Sequence, residues 1–148
     1  MKKQFLTLAI ALMMSISSLF ANDNTEVSDK IISSFKKEFV DAQDVQWDKT
    51  RDMVRATFKM NTQVMFAYYS NEGTLLAVSR NILSSQLPMS LLVDIKKNYS
   101  QFWITDLFEI VMDNETSYYL TVENSDQTMT LKANGANGWE VFKKEKKS

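Results

Sequence analysis

Apolar and polar residues alternate most regularly through residues 53–78, and the rest of the chain is arranged around that stretch. Val54, Ala56, Phe58 and Met60 alternate with Arg55, Thr57 and Lys59, the period-two pattern of a strand with one buried face. The polar triplet Asn61, Thr62 and Gln63 reverses the chain into a second strand over 64–69. Asn71, Glu72 and Gly73 reverse it again into a third over 75–78. Two tight turns in succession predict an antiparallel meander.

Upstream the period changes. Val27, Ile31, Ile32, Phe35 and Phe39 fall on one stripe of a helix, with Lys30, Lys36 and Lys37 off it. Asn24 or Thr25 is placed to cap that helix, and Glu26 and Asp29 give its first turn the sign the helix dipole favours. An extended segment through 45–47 then leads into the meander. Leu87 and Pro88 open a second helix, at a position where the missing proline N–H costs nothing.

That second helix repeats the first. Leu87, Leu91, Leu92, Ile95 and Tyr99 reproduce the apolar stripe displaced by 60 residues, and the lysine pair recurs as Lys96 and Lys97. At the same displacement Trp47 meets Leu107, Phe58 meets Tyr118 and Met60 meets Leu120. Residues 104–112, 117–122, 128–133 and 139–142 read as four further strands, separated by runs rich in Asn, Asp and Gly. The expected fold is α+β: two tandem repeats, each a helix and an antiparallel meander, with the helices on one face of about eight antiparallel strands. The repeats run over 22–86 and 87–143, and the lysine-rich residues 144–148 form a solvated tail.

Residues 1–21 read as an export signal: Lys2 and Lys3, an apolar run over 5–20, then the small residue Ala21. The run is shorter than the roughly 20 residues of a spanning helix, so no stable membrane insertion is expected once the signal is removed. Without the two leader lysines the chain carries 15 basic and 18 acidic side chains, a formal charge of −3, which argues against nucleic acid as a partner. Cysteine and histidine are both absent. Disulfides, zinc sites of the usual kind, Cys–His pairs and Ser–His–Asp triads are therefore excluded. Asp41, Asp44, Asp48 and Asp52 match no calcium loop, and their spacing reads as a polar connection. No cofactor and no enzymatic activity are expected.

The segment 39–47, Ala67, Tyr68 and Tyr69 before the Asn71, Glu72, Gly73 turn, and Leu87 and Pro88 with the segment 95–99 give the chain a family likeness. It resembles the PepSY-like proteins exported by Bacteroidetes, which are similar in architecture to the β-lactamase inhibitory protein. The resemblance implies a non-enzymatic periplasmic or secreted domain that binds or inhibits other proteins. The inhibitory protein has a disulfide that this chain lacks, so inhibition of a β-lactamase does not carry over.

Helices on one face leave the other face of the sheet to water or to a partner. If Met60 and Val64 pair across the first turn, Val64, Phe66 and Tyr68 lie beneath the helix, and Met65 and Tyr69 share the open face with Arg55 and Lys59. Tyr119 and Lys132 join them from the second repeat, and a slip of one residue exchanges the two lists. Tyr69, Tyr119, Met65, Arg55, Lys59 and Lys132 are thus the candidate partner-binding residues, for another envelope or secreted protein. The alternative is a small-molecule or lipid carrier using the groove between helices and sheet. Trp47, Trp103 and Trp139 lie beside apolar strands and read as packing residues.

Overall fold

The computed structural model describes residues 26–148, so the leader expected at 1–21 lies outside the described residues. Helix α1 (Asp29–Glu38) is followed by β1 (Gln43–Lys49), β2 (Met53–Met60), β3 (Gln63–Ser70) and β4 (Leu75–Asn81). Past a short 3-10 turn at Ser84–Gln86, helix α2 (Met89–Asn98) is followed by β5 (Trp103–Met112), β6 (Glu115–Glu123), β7 (Gln127–Asn134) and β8 (Glu140–Lys146). The eight strands form one antiparallel sheet in chain order, with tight connections within each half and α2 between β4 and β5.

Both helices bury the stripe that their periodicity marks. Ile31 and Phe35 of α1 pack on Val54, Ala56, Phe58, Ala67 and Tyr69, where Phe35 meets Trp47 and Phe58 edge to face. Leu91 and Ile95 of α2 pack on Leu107, Tyr118, Leu120, Val122 and Leu131. Burying each such side chain is worth about 1.5–3 kcal/mol. The helix ends match at a displacement of 60 residues. Ile31 and Ile32 donate to the Ser28 carbonyl as Leu91 and Leu92 donate to that of Pro88, and Phe39 closes on Phe35 as Tyr99 closes on Ile95. The cap of α1 is Ser28, three residues beyond the expected Thr25, and its hydroxyl accepts from the Ile31 N–H at 3.5 Å.

The first hairpin departs from the expected register. Asn61 and Thr62 alone make its turn, both at positive φ (50° and 66°), and Met60 pairs with Gln63, not Val64. A two-residue turn of this kind matches the twist of the flanking strands. It places Lys59 opposite Val64, Phe58 opposite Met65 and Val54 opposite Tyr69. Every side chain of β3 therefore lies on the face opposite to the one expected. Tyr69 is wholly buried with Ile31 and Phe35, and Met65 packs against the same cluster.

The lysine-rich end is strand as far as Lys146, since β8 pairs Lys144 with Met129 and Lys146 with Gln127. Lys147 closes it by an ion pair to Glu123 at 3.2 Å, and Glu123 also accepts from the Trp103 indole at 2.7 Å. These two donors hold the Glu123 carboxyl below its ordinary range. The two halves of the sheet meet at β4 and β5, from Val78 opposite Val111 to Asn81 opposite Phe108. There Arg80 reaches across to Glu109 at 2.9 Å and to the Gln63 side chain at 3.0 Å.

Candidate functional site

A third apolar cluster forms on the sheet with no helix residue in it. Its buried members are Met53, Tyr68, Ala77, Ile110 and Tyr119, with Phe66, Leu76, Phe108 and Met112 packed against them. Cross-strand pairing explains how distant segments meet here. Thr57, Phe66, Ser79, Ile110 and Ser117 form one row across β2 to β6, and Asn81, Phe108, Tyr119 and Lys132 form another across β4 to β7. Side chains in such rows stand on one face.

Tyr119 sits among aromatic neighbours. Phe108 stacks on it at 5.1 Å between centroids and 11° between planes, Phe142 meets it edge-on at 5.5 Å, and the Lys132 ammonium lies 5.7 Å from its ring centre. Tyr119 is 1% exposed and its hydroxyl has no hydrogen-bond partner within the protein. Burial pushes that phenol up to about 12. Tyr68 differs: burial raises its phenol too, but hydrogen bonds from Ser79 and Arg55 offset part of the rise.

The candidates from the sequence separate accordingly. Arg55, Tyr119 and Lys132 share the face of this cluster: Arg55 pairs with Tyr68 and lies 5.7 Å from the Phe66 ring centre. Lys59 pairs with Val64 four residues along the same strand. Tyr69 and Met65 do not belong to it, because the two-residue turn carries them under α1. Phe66 and Tyr68 take their places, and Phe108, Ile110, Met112 and Phe142 are further members that sequence reasoning missed. The signal for the first pair was the turn length at Asn61 and Thr62; for Phe142 there was none, since its contact with Tyr119 follows from an irregularity in β8 between the pairs Thr130–Lys143 and Leu131–Val141.

The aspartates after α1 act as counter-ions. Asp48 holds Arg55 at 2.8 Å, and Asp44 holds Lys59 at 2.9 Å where both are exposed. No group of three acidic side chains suited to a metal ion occurs among the described residues. Trp47 and Trp139 pack in the helix-side clusters, Trp139 donating to the Leu91 carbonyl at 3.1 Å, while Trp103 is 52% exposed. Between α1 and β1 runs a groove of about 420 Å³ lined by Ile32, Phe35, Phe39, Val40, Val45 and Trp47. No helix among the described residues is long and apolar enough to cross a membrane.

An eight-stranded antiparallel meander with one helix before it and one between β4 and β5 defines an α+β architecture. Solved structures from Bacteroides share it. A BLIP-like protein from Bacteroides fragilis superposes with a TM-score of 0.71 at 16% identity, over 82% of this chain and 87% of its own. A DUF2874 family protein from Bacteroides ovatus gives 0.72 at 15%, over 82% and 89%. A Bacteroides eggerthii protein taken to be periplasmic gives 0.72 at 11%, over 82% and 90%. At these identities the likeness is one of fold, and the fold is BLIP-like. No family model matches the sequence, and no curated protein matches it.

Proposed function

We propose that this chain is an exported, non-enzymatic binding domain built from two PepSY-like units, over 22–86 and 87–143, and that it docks another envelope or secreted protein on the helix-free face of its sheet. Export rests on the leader pattern of residues 1–21 and fits the periplasmic assignment of a protein of like fold. Duplication is supported by the two helices, whose caps and buried stripes agree at a displacement of 60 residues. A non-catalytic role is supported by the lack of histidine and cysteine, which removes the commonest acid–base and nucleophilic groups.

Register supports placing both helices on one side. Ala56, Ala67, Val78 and Val111 form a continuous row, and alternation along β5 carries the same face to Leu107, beneath α2. The observation that carries the docking reading is the cluster of Phe66, Tyr68, Phe108, Ile110, Met112 and Tyr119 on the other side. Aromatic side chains with charged neighbours supply large contact area and a polar border. Phe142, 39% exposed, and the half-buried Phe66 are the members within a partner's reach.

Capture from native envelope extract tests the reading. The variant Phe66→Ser with Phe142→Ser loses its captured protein while its melting temperature stays within a few degrees of the parent. Met89→Ser with Val93→Ser, on the exposed side of α2, keeps it. Retained capture by the first variant would place the docking surface elsewhere. The apolar groove beside α1 favours a second reading, a carrier of a small apolar molecule or lipid, and native mass spectrometry of protein from its own envelope separates the two because a carrier holds added mass.

A further inference from the structure

The connection from β7 to β8 runs Asn134, Gly135, Ala136, Asn137, Gly138, and it holds the only two asparagines of the chain that precede a glycine. Such an asparagine reacts most readily with its own main chain, because the following residue has no Cβ to shield the attacking nitrogen. By sequence the two sites are alike. The fold makes them unequal. At the first, Gly135 donates its N–H to the Thr116 carbonyl at 2.8 Å, and the Asn134 side-chain oxygen accepts from the Ser117 hydroxyl at 3.1 Å. Asn134 also ends β7, paired with Ser117, so both reacting groups are held in the sheet. At the second, Asn137 is exposed and lies outside any strand. Neither its side chain nor the Gly138 N–H makes a hydrogen bond among the described residues, and Gly138, at φ 101°, borders open space.

We propose that Asn137 is a site of spontaneous modification, passing through a succinimide to an aspartyl or isoaspartyl residue while Asn134 keeps its amide. The Gly138 nitrogen gives up its proton to hydroxide and attacks Asn137 Cγ. The new N–Cγ bond closes the ring, and Nδ2 leaves as ammonia. Water then opens the ring at one of two bonds. Breaking the bond from nitrogen to Cγ gives an aspartyl residue, and breaking the bond from nitrogen to the main-chain carbonyl carbon gives an isoaspartyl one. One water enters and one ammonia departs, with no oxidant or reductant. The change falls where this connection holds α2: the Ala136 carbonyl accepts from the Ser90 hydroxyl at 3.4 Å, and the Trp139 indole donates to the Leu91 carbonyl at 3.1 Å. An isoaspartyl link adds one main-chain atom between these tethers, and either product adds a negative charge. The site is independent of any protein docking.

Incubation of the purified chain in mildly alkaline buffer, followed by digestion and fragment mass spectrometry, reads the two positions separately. Position 137 gains the mass difference between hydroxyl and amine at least about tenfold faster than position 134, where two hydrogen bonds must open first. An isoaspartyl methyltransferase labels the product at 137. In guanidinium chloride the fold is gone and the two positions react at nearly equal rates. Asn137→Gln removes the fast product, because glutamine would have to close a larger ring. The proposal falls if position 134 converts as fast as 137 in the folded chain, or if the folded and denatured chains give the same ratio. It falls equally if position 137 keeps its amide in the folded chain while the denatured chain loses it, or if Asn137→Gln still yields the fast product.

Discussion

Tyr69 and Tyr119 bury phenol hydroxyls with no partner in the protein, one beneath α1 and one in the cluster that holds no helix residue. An unpaired buried hydroxyl carries a desolvation cost with no hydrogen bond to offset it. Tyr69→Phe is therefore expected to leave stability at neutral pH unchanged or raise it by up to about 1 kcal/mol, measured by urea unfolding. A clear loss would reveal a partner for the hydroxyl. Burial, aided by the Glu38 carboxylate at Tyr69, pushes both phenols up to about 12. An unfolded chain gives up these protons near 10, so the folded state holds them more tightly. The contribution is fully present below pH 10 and is lost as pH rises through 12. Melting temperature should fall more steeply over that window in the parent than in Tyr69→Phe with Tyr119→Phe, and equal slopes would show that other groups, the lysines first, govern alkaline unfolding.

Turn chemistry decides the geometry of β3. Thr62 stands in the left-handed region at φ 66°, where a β-branched residue is uncommon, while Gln63 enters the strand. Thr62→Gly restores the dipeptide that such turns favour and should stabilise the chain by about 1 kcal/mol, read as a shift of the urea midpoint at unchanged slope. Destabilisation would mean that the Thr62 side chain holds the hairpin by a contact outweighing its backbone strain. The same residue explains what the sequence concealed. Strand existence and helix faces were legible, because Val54, Ala56 and Phe58, or Ile31 and Phe35, carry periods that only one element satisfies. Turn length was not, since a triplet of polar residues is compatible with either two or three in the turn, and one residue of slip exchanges the faces. In the second half Tyr118, Leu120, Leu131 and Ala133 alternate strictly against Tyr119 and Lys132, so the faces there were read correctly. The aromatic packing of Phe142 on Tyr119 depends on an irregular strand pairing, which no alternation encodes.

At the scale of the whole molecule, the question is whether two helix-capped halves behave as one. Each buries a separate cluster beneath its own helix, which alone would permit independent unfolding. The helix-free cluster argues otherwise, because Met53 and Tyr68 of the first half share it with Ile110 and Tyr119 of the second. The β4–β5 ladder and the Arg80–Glu109 pair add to this joint, on side chains 35% and 20% exposed. Heat or urea should therefore unfold the chain in a single transition, with coincident near- and far-ultraviolet circular dichroism. Arg80→Ala strips the partner from Glu109 and one from Gln63, and is expected to cost about 1–2 kcal/mol, the partial exposure holding it below a fully buried pair. If the joint couples the halves, that variant lowers both spectroscopic midpoints together. Midpoints that part company, with one half melting at the parent's temperature, would show two weakly joined units, and a docking surface that spans the joint would then need its partner to hold it in shape.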